Sequence, residues 1–152
     1  MKNIFNDSEF EKFLYGGIKD LDEPVGKLVH NLYRAGIKTT WSCSGHIYQF
    51  NEDAGGKALP ENQVYQCGKL FYCDTLKSLR LTKKLEEITK VIPFASLTEG
   101  DTLDFALEMD DLIVPRNDGD HAKKQIPIKL AEQRYSQFLG IWKDLTDWSE
   151  LK

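Results

Sequence analysis

Between Thr39 and His46 the chain reads TTWSCSGH, a run suited to a strand that ends in Ser42, Cys43, Ser44, Gly45 and His46. Two hydroxyls, a thiol, an imidazole and a glycine in five consecutive positions can do several kinds of chemistry. Small residues where a strand runs out let successive backbone N–H groups converge on an anion or a carboxylate. The Ser42 and Ser44 hydroxyls donate or accept, and His46 donates when protonated or acts as a base when neutral, with an ordinary pKa of about 6.5. The segment Ser42 to His46 is therefore the candidate binding site for a small anionic or nucleotide-like ligand. Gly55 and Gly56 lie in a polar stretch that could close over it. No catalytic residue is assigned.

Three other readings compete for the same residues. In the structural one, Thr40, Ser42 and Ser44 occupy a wet face, Cys43 is a small buried hydrophobe and Gly45 makes a turn. In a metal reading, Cys43 and His46 have C-x-x-H spacing, and Cys67 and Cys73 complete a four-ligand set. A straight strand would hold the last two sulfurs about 20 Å apart unless the chain folds back at Gly68, so no metal is expected. A nucleophilic Cys43 needs a lowered pKa and a positioned base, and nothing in the spacing fixes the direction of His46. His30 borders the apolar stripe of a helix and His121 sits in a charged turn, so neither is given a role.

These residues must be positioned by a fold, and the composition bounds it. A length of 152 residues suits a single domain, and 41% apolar with 29% charged residues is the balance of a soluble globular protein. No apolar run reaches the ~20 residues that span a bilayer, and the N-terminus has no secretory pattern. Three cysteines, an odd number, suit free thiols in a reducing compartment, and a cytoplasmic location is expected. A net charge of −4 argues against non-specific nucleic-acid binding. Lys77, Arg80, Lys83, Lys84 and Lys90 give one helix a basic side, which reads as a solvated face and leaves RNA only a weakly supported partner.

Hydrophobic periodicity supplies the elements. A short helix in NDSEFEKFLYGG would be capped by Asn6, Asp7 or Ser8 and stopped by Gly16 and Gly17. In DLDEPVGKLVHNLYRAG, Val25, Leu28, Val29, Leu32 and Tyr33 share one helical face, with Asp20 or Asp22 as cap, Pro24 in the first turn and Gly36 at the end. A strand follows, with Ile37, Thr39, Trp41 and Cys43 on one face. IYQF reads as a short strand, NEDAGGKALPEN as a mobile loop, and QVYQCGKLFYCD as a returning strand in which Gly68 marks a bulge or close backbone approach. A second helix spans about Ser78 to Lys90, then TLDFALEM alternates with Leu103, Phe105, Leu107 and Met109 on one face. PRNDGDH reads as an exposed turn, and a long helix from Pro127 carries Ile128, Ala131, Tyr135, Phe138, Trp142 and Leu145. Such elements predict an α+β fold, a two-layer sandwich of a mostly antiparallel sheet with helices on one face.

Residues 22 to 47, DEPVGKLVHNLYRAGIKTTWSCSGHI, resemble the N-terminal part of the tRNA wybutosine-synthesis methyltransferase family, the third enzyme of that pathway. Asp22 and Glu23 match the start of its helix, Thr39 and Thr40 its paired threonines, and Ser42 to Gly45 its Ser-Cys-Ser-Gly core. The resemblance implies S-adenosylmethionine as cofactor, an RNA substrate, and Ser42, Cys43, Ser44 and Gly45 at the ligand site. The chain departs from the pattern at Trp41, where the family has Ser, and at His46, where it has Arg. The family's upstream Asp-Lys-Ser triplet is absent from FLYGGIKDLDEP. Two functions follow as expectations: a diverged S-adenosylmethionine-dependent RNA-modification-like enzyme, or a non-catalytic binding or interaction module. Metal binding through Cys and His is a third.

Overall fold

The computed structural model describes residues 7–14, 21–115 and 121–151. The Asp7 carboxylate accepts from the Phe10 amide at 3.1 Å and so starts helix α1 (Ser8–Phe13). Of the suggested caps, Asp7 is the one used, while Asn6, Gly16, Gly17 and Asp20 lie outside the described residues. Helix α2 (Glu23–Arg34) buries Val25, Leu28, Val29 and Leu32 as their spacing predicts, and Gly36 leaves it at φ +83°.

Asp7 also holds the two helices together through His30 of α2, with Oδ2 at 3.0 Å from Nε2. That hydrogen bond, followed by the one from the Phe10 amide, lowers the Asp7 carboxyl below its usual range. A depressed carboxyl stabilises the fold above its unfolded pKa of about 3.9, and the contribution disappears as pH falls through the lower folded value. The expected result is that the thermal midpoint of the native chain exceeds that of Asp7→Asn at neutral pH, and that the gap narrows steadily below about pH 4. A gap constant from pH 7 to pH 2 would contradict this.

Strands β1 (Thr39–Cys43) and β2 (His46–Tyr48) run out along the chain, and β5 (Asn62–Gln66) and β6 (Gly68–Tyr72) return beside them. Between them β3 (Phe50–Asn51) and β4 (Gly56–Lys57) form a small hairpin, turned by Gly55 and Gly56 at φ +102° and +115°. The stretch expected as a mobile loop is thus largely a hydrogen-bonded turn, because two glycines accept the left-handed backbone it needs. After one 3-10 turn (Leu76–Ser78), helix α3 (Leu79–Val91) buries Leu81 and Leu85. Strands β7 (Ala95–Glu99) and β8 (Leu103–Leu107) follow, then β9 (Val114–Pro115), β10 (Lys124–Pro127) and helix α4 (Ile128–Glu150).

The fold is α+β, with antiparallel strands and helices packed against them, as the sequence predicts. Among the described residues, the strands other than the β3–β4 hairpin divide into two four-stranded sheets, in the orders β1-β6-β8-β7 and β2-β5-β10-β9. The division falls at one place. Cys43 pairs with Lys69 and His46 with Gln66, so a single register continues from one sheet into the other while Ser44-Gly45 faces Cys67-Gly68 at the crossing. Gly45 adopts φ +93° there, and a Cβ on Gly68 would lie 3.1 Å from the Ser44 carbonyl oxygen. Gly68 is the close backbone approach read from the sequence, and the returning segment is two strands rather than one.

Helix α4 packs on α2 and reaches β2, β5 and β10, while α2 covers β1 and α3 covers β7. Phe10, Leu28, Leu32, Leu70, Phe105, Phe138 and Trp142 belong to one buried cluster that draws on α1, α2, α4 and the first sheet. Burying such side chains contributes roughly 1.5–3 kcal/mol each. Trp41 does not join them. The register shifts between Thr39 and Trp41, a bulge that removes Trp41 from the face predicted for it and leaves the indole 52% exposed against Phe71. No helix among the described residues is long and apolar enough to cross a membrane.

Candidate functional site

The crossing between the sheets gathers side chains from three parts of the chain around the Asp22 carboxylate. Asp22 Oδ2 accepts from the Ser44 amide at 2.9 Å, the Ser44 hydroxyl at 3.3 Å and His46 Nε2 at 3.0 Å. The Cys43 sulfur completes the group, with one ligand-type atom of Asp22, Cys43 and His46 lying within 4.8 Å of each other. From the far side, Trp142 Nε1 of α4 donates to the Ser44 carbonyl at 2.9 Å, and Phe138 closes against Gly45.

Asp22 occupies the N-cap position of α2, yet its side chain makes no capping hydrogen bond. A capping Asp contributes about 1 kcal/mol to a helix. Here the carboxylate is committed to Ser44 and His46 instead, and the helix serves to deliver it. Sequence reasoning placed Asp22 as a cap and missed this role, since 22 residues separate it from Ser44.

The segment Ser42 to His46 lies at the crossing between the two sheets. Ser44 is fully buried and Gly45 is buried beside it. The Ser44 amide is used by Asp22. Ser42 is half-buried in β1 and pairs with Leu70, while His46 is half-buried at the start of β2. Burial pushes the Cys43 thiol up to about 11, with the neighbouring Asp22 charge adding to it. That favours the protonated thiol over the thiolate at neutral pH.

A hollow of about 350 Å³ lies beside this cluster, bordered by Cys43, Cys67, Trp41, Tyr65 and Gln66. Asp53 and Ala54 from the β3–β4 turn reach its rim. Its charged lining is Asp53 and Asp110 against Lys124, an excess of negative charge. Tyr65 donates to Glu108 at 3.3 Å and also to Asp110. Burial raises the Glu108 carboxyl, with Asp110 contributing, and the Tyr65 hydroxyl is pushed up as well. Tyr65, Asp110 and Lys124 were absent from the expected site because their pattern carries no motif.

The suggested four-ligand set does not assemble. Cys67 joins Cys43 at the hollow, but Cys73 lies beyond the other end of β6, where its amide meets the Lys38 carbonyl. Of the remaining histidines, His30 is buried against Asp7 and Phe10, and His121 is half-buried where its backbone forms a β-bridge with Lys57. On α3, exposed Glu86 and Glu87 interleave with Arg80, Lys83 and Lys90, a mixed rather than basic face. Compared with known proteins, the chain matches no family model, no curated protein and no solved structure.

Proposed function

We propose that the protein binds a small, ring-bearing, positively charged ligand in the hollow between Trp41 and Tyr65. S-adenosylmethionine, the cofactor implied by the resemblance at Ser42 to Gly45, is the specific candidate. The observation that carries this reading is an exposed indole at the rim of a pocket in which carboxylates outnumber amines. An indole face attracts a cation or stacks on a base, and Asp53 and Asp110 can accept from hydroxyl or amino groups. The same lining disfavours an anion, and a sulfonium with an adenine ring suits it. At about 350 Å³ the hollow stands at the small end of ligand sites. The reading is cofactor binding, in keeping with either an RNA-modification-like enzyme or a binding module.

Calorimetric titration of S-adenosylmethionine into the full chain tests it. One saturable site is expected. Trp41→Ala should weaken binding by about tenfold, equivalent to roughly 1.4 kcal/mol of lost ring contact. Asp53→Asn should weaken it less, and added salt should shrink that difference. Both side chains are exposed, so the fold is expected to survive. No saturable heat with the native protein, or unchanged affinity in Trp41→Ala, would overturn the proposal.

A further inference from the structure

Asp22, Cys43 and His46 offer a carboxylate, a thiol and an imidazole at one point, and each comes from a different place in the fold: the head of α2, the end of β1 and the start of β2. We infer that this triad is a zinc site with three protein ligands and one position left for water. It goes beyond the proposed cofactor binding and does not rest on it, since the triad stands beside the hollow and shares only Cys43 with its wall.

The donor set is one that zinc takes. Cys sulfur, His nitrogen and Asp oxygen bind it at about 2.0–2.3 Å, and a tetrahedron of those bonds places neighbouring ligand atoms about 3.3–3.8 Å apart. Asp22 Oδ2 and His46 Nε2 are 3.0 Å apart, and all three ligand atoms fall within 4.8 Å. A sub-ångström opening of one contact and a modest closing of the others would admit the ion. Three ligands plus water is the arrangement of reactive rather than purely structural zinc. The two anionic ligands neutralise the charge of the ion.

The surroundings hold that geometry. The Ser44 amide and hydroxyl orient the Asp22 carboxylate, as outer hydrogen bonds orient metal-ligating carboxylates elsewhere. Trp142 in turn fixes Ser44 through its carbonyl. Gly45, at φ +93°, makes the bend that turns residues 43 and 46 toward one point. An Asp at an N-cap position that caps nothing is explained by the same role. Uptake is balanced by protons: the Cys43 thiol releases one to solvent as its sulfur binds, and the proton that His46 Nε2 holds toward Asp22 moves to Nδ1 of a neutral ring, or to solvent from a charged one, leaving a lone pair on Nε2 for the ion.

Chelator-stripped full-length protein titrated with zinc against a competing chromophoric chelator, and separately with cobalt, tests the site. One equivalent of zinc is expected, and cobalt should give a thiolate-to-metal charge-transfer band with the intense visible bands of tetrahedral coordination. Cys43→Ser should remove the charge-transfer band. Ser44→Ala should keep it but weaken zinc by about tenfold or more. Cys67→Ser and Cys73→Ser should bind as the native chain does, which separates this triad from the four-ligand alternative. If Cys43→Ser does not fold, His46→Gln, whose side chain is one-third exposed in the native chain, supplies the second reading, with cobalt affinity expected to fall by about a hundredfold. The inference is overturned by no stoichiometric uptake, by a charge-transfer band that survives Cys43→Ser, or by one lost in Cys67→Ser. Repeating the S-adenosylmethionine titration with and without zinc keeps the two outcomes apart, since either can fail alone.

Discussion

Trp142→Ala is expected to destabilise the protein by about 3–5 kcal/mol, the range for removing a buried Trp or Phe side chain. The side chain is fully buried, its ring meets Phe105 edge-on at 5.8 Å, and its Nε1 satisfies the Ser44 carbonyl at the sheet crossing. Trp142→Phe separates the two contributions. It keeps most of the apolar contact but leaves a buried carbonyl without that donor, which costs about 1–3 kcal/mol. Denaturant unfolding followed by circular dichroism reads both. A loss below about 1 kcal/mol for the Phe variant would show that the indole packs without organising the crossing.

Gly45→Ala is the second large effect. The added Cβ would sit 2.7 Å from Phe138 Cδ2 and 3.2 Å from the Gly68 backbone nitrogen, at φ +93° where an L side chain is strained. Backbone strain contributes roughly 1–3 kcal/mol and overpacking a similar amount, so a total of about 3–5 kcal/mol is expected. Phe138→Leu combined with Gly45→Ala should recover part of the overpacking and none of the backbone strain. Gly56→Ala is the contrast, because a Cβ there meets nothing within 4 Å and only the strain at φ +115° remains. Equal destabilisation by Gly45→Ala and Gly56→Ala would mean that contact with Phe138 and Gly68 is unimportant.

The helices were legible because their apolar residues recur at helical spacing over many turns. Val25 to Leu32 in α2 and Ala131 to Leu145 in α4 bury the stripe that the sequence displays. Strands β7 and β10 were not. In β7 only Ala95 is buried, so no alternation announces it. In β10 the buried pair is Gln125 and Ile126, and Gln125 is accommodated by accepting from the Leu59 amide and from Asn62. A polar residue that belongs to the interior because its partners are supplied from 63 and 66 residues away has no local signature.

The site was half legible for the same reason. Its segment, Ser42 to His46, stands out by composition, and Gly45, at φ +93°, marks the bend at the sheet crossing. What the turn does depends on Asp22, whose position at the head of a helix gives it an ordinary local explanation that the tertiary structure overrides. The bulge near Trp41 likewise reverses the face predicted from strict alternation, and in doing so sets an indole at the rim of the hollow.

Where a ligand settles decides the central claim, and amide and indole chemical-shift mapping during addition of S-adenosylmethionine reads that location residue by residue. The shifts are expected to concentrate on the Trp41 indole and on the amides of Asp53, Ala54 and Cys67. Shifts confined to the separate groove lined by Phe94 and Arg134, or spread without a centre over the surface, would contradict it.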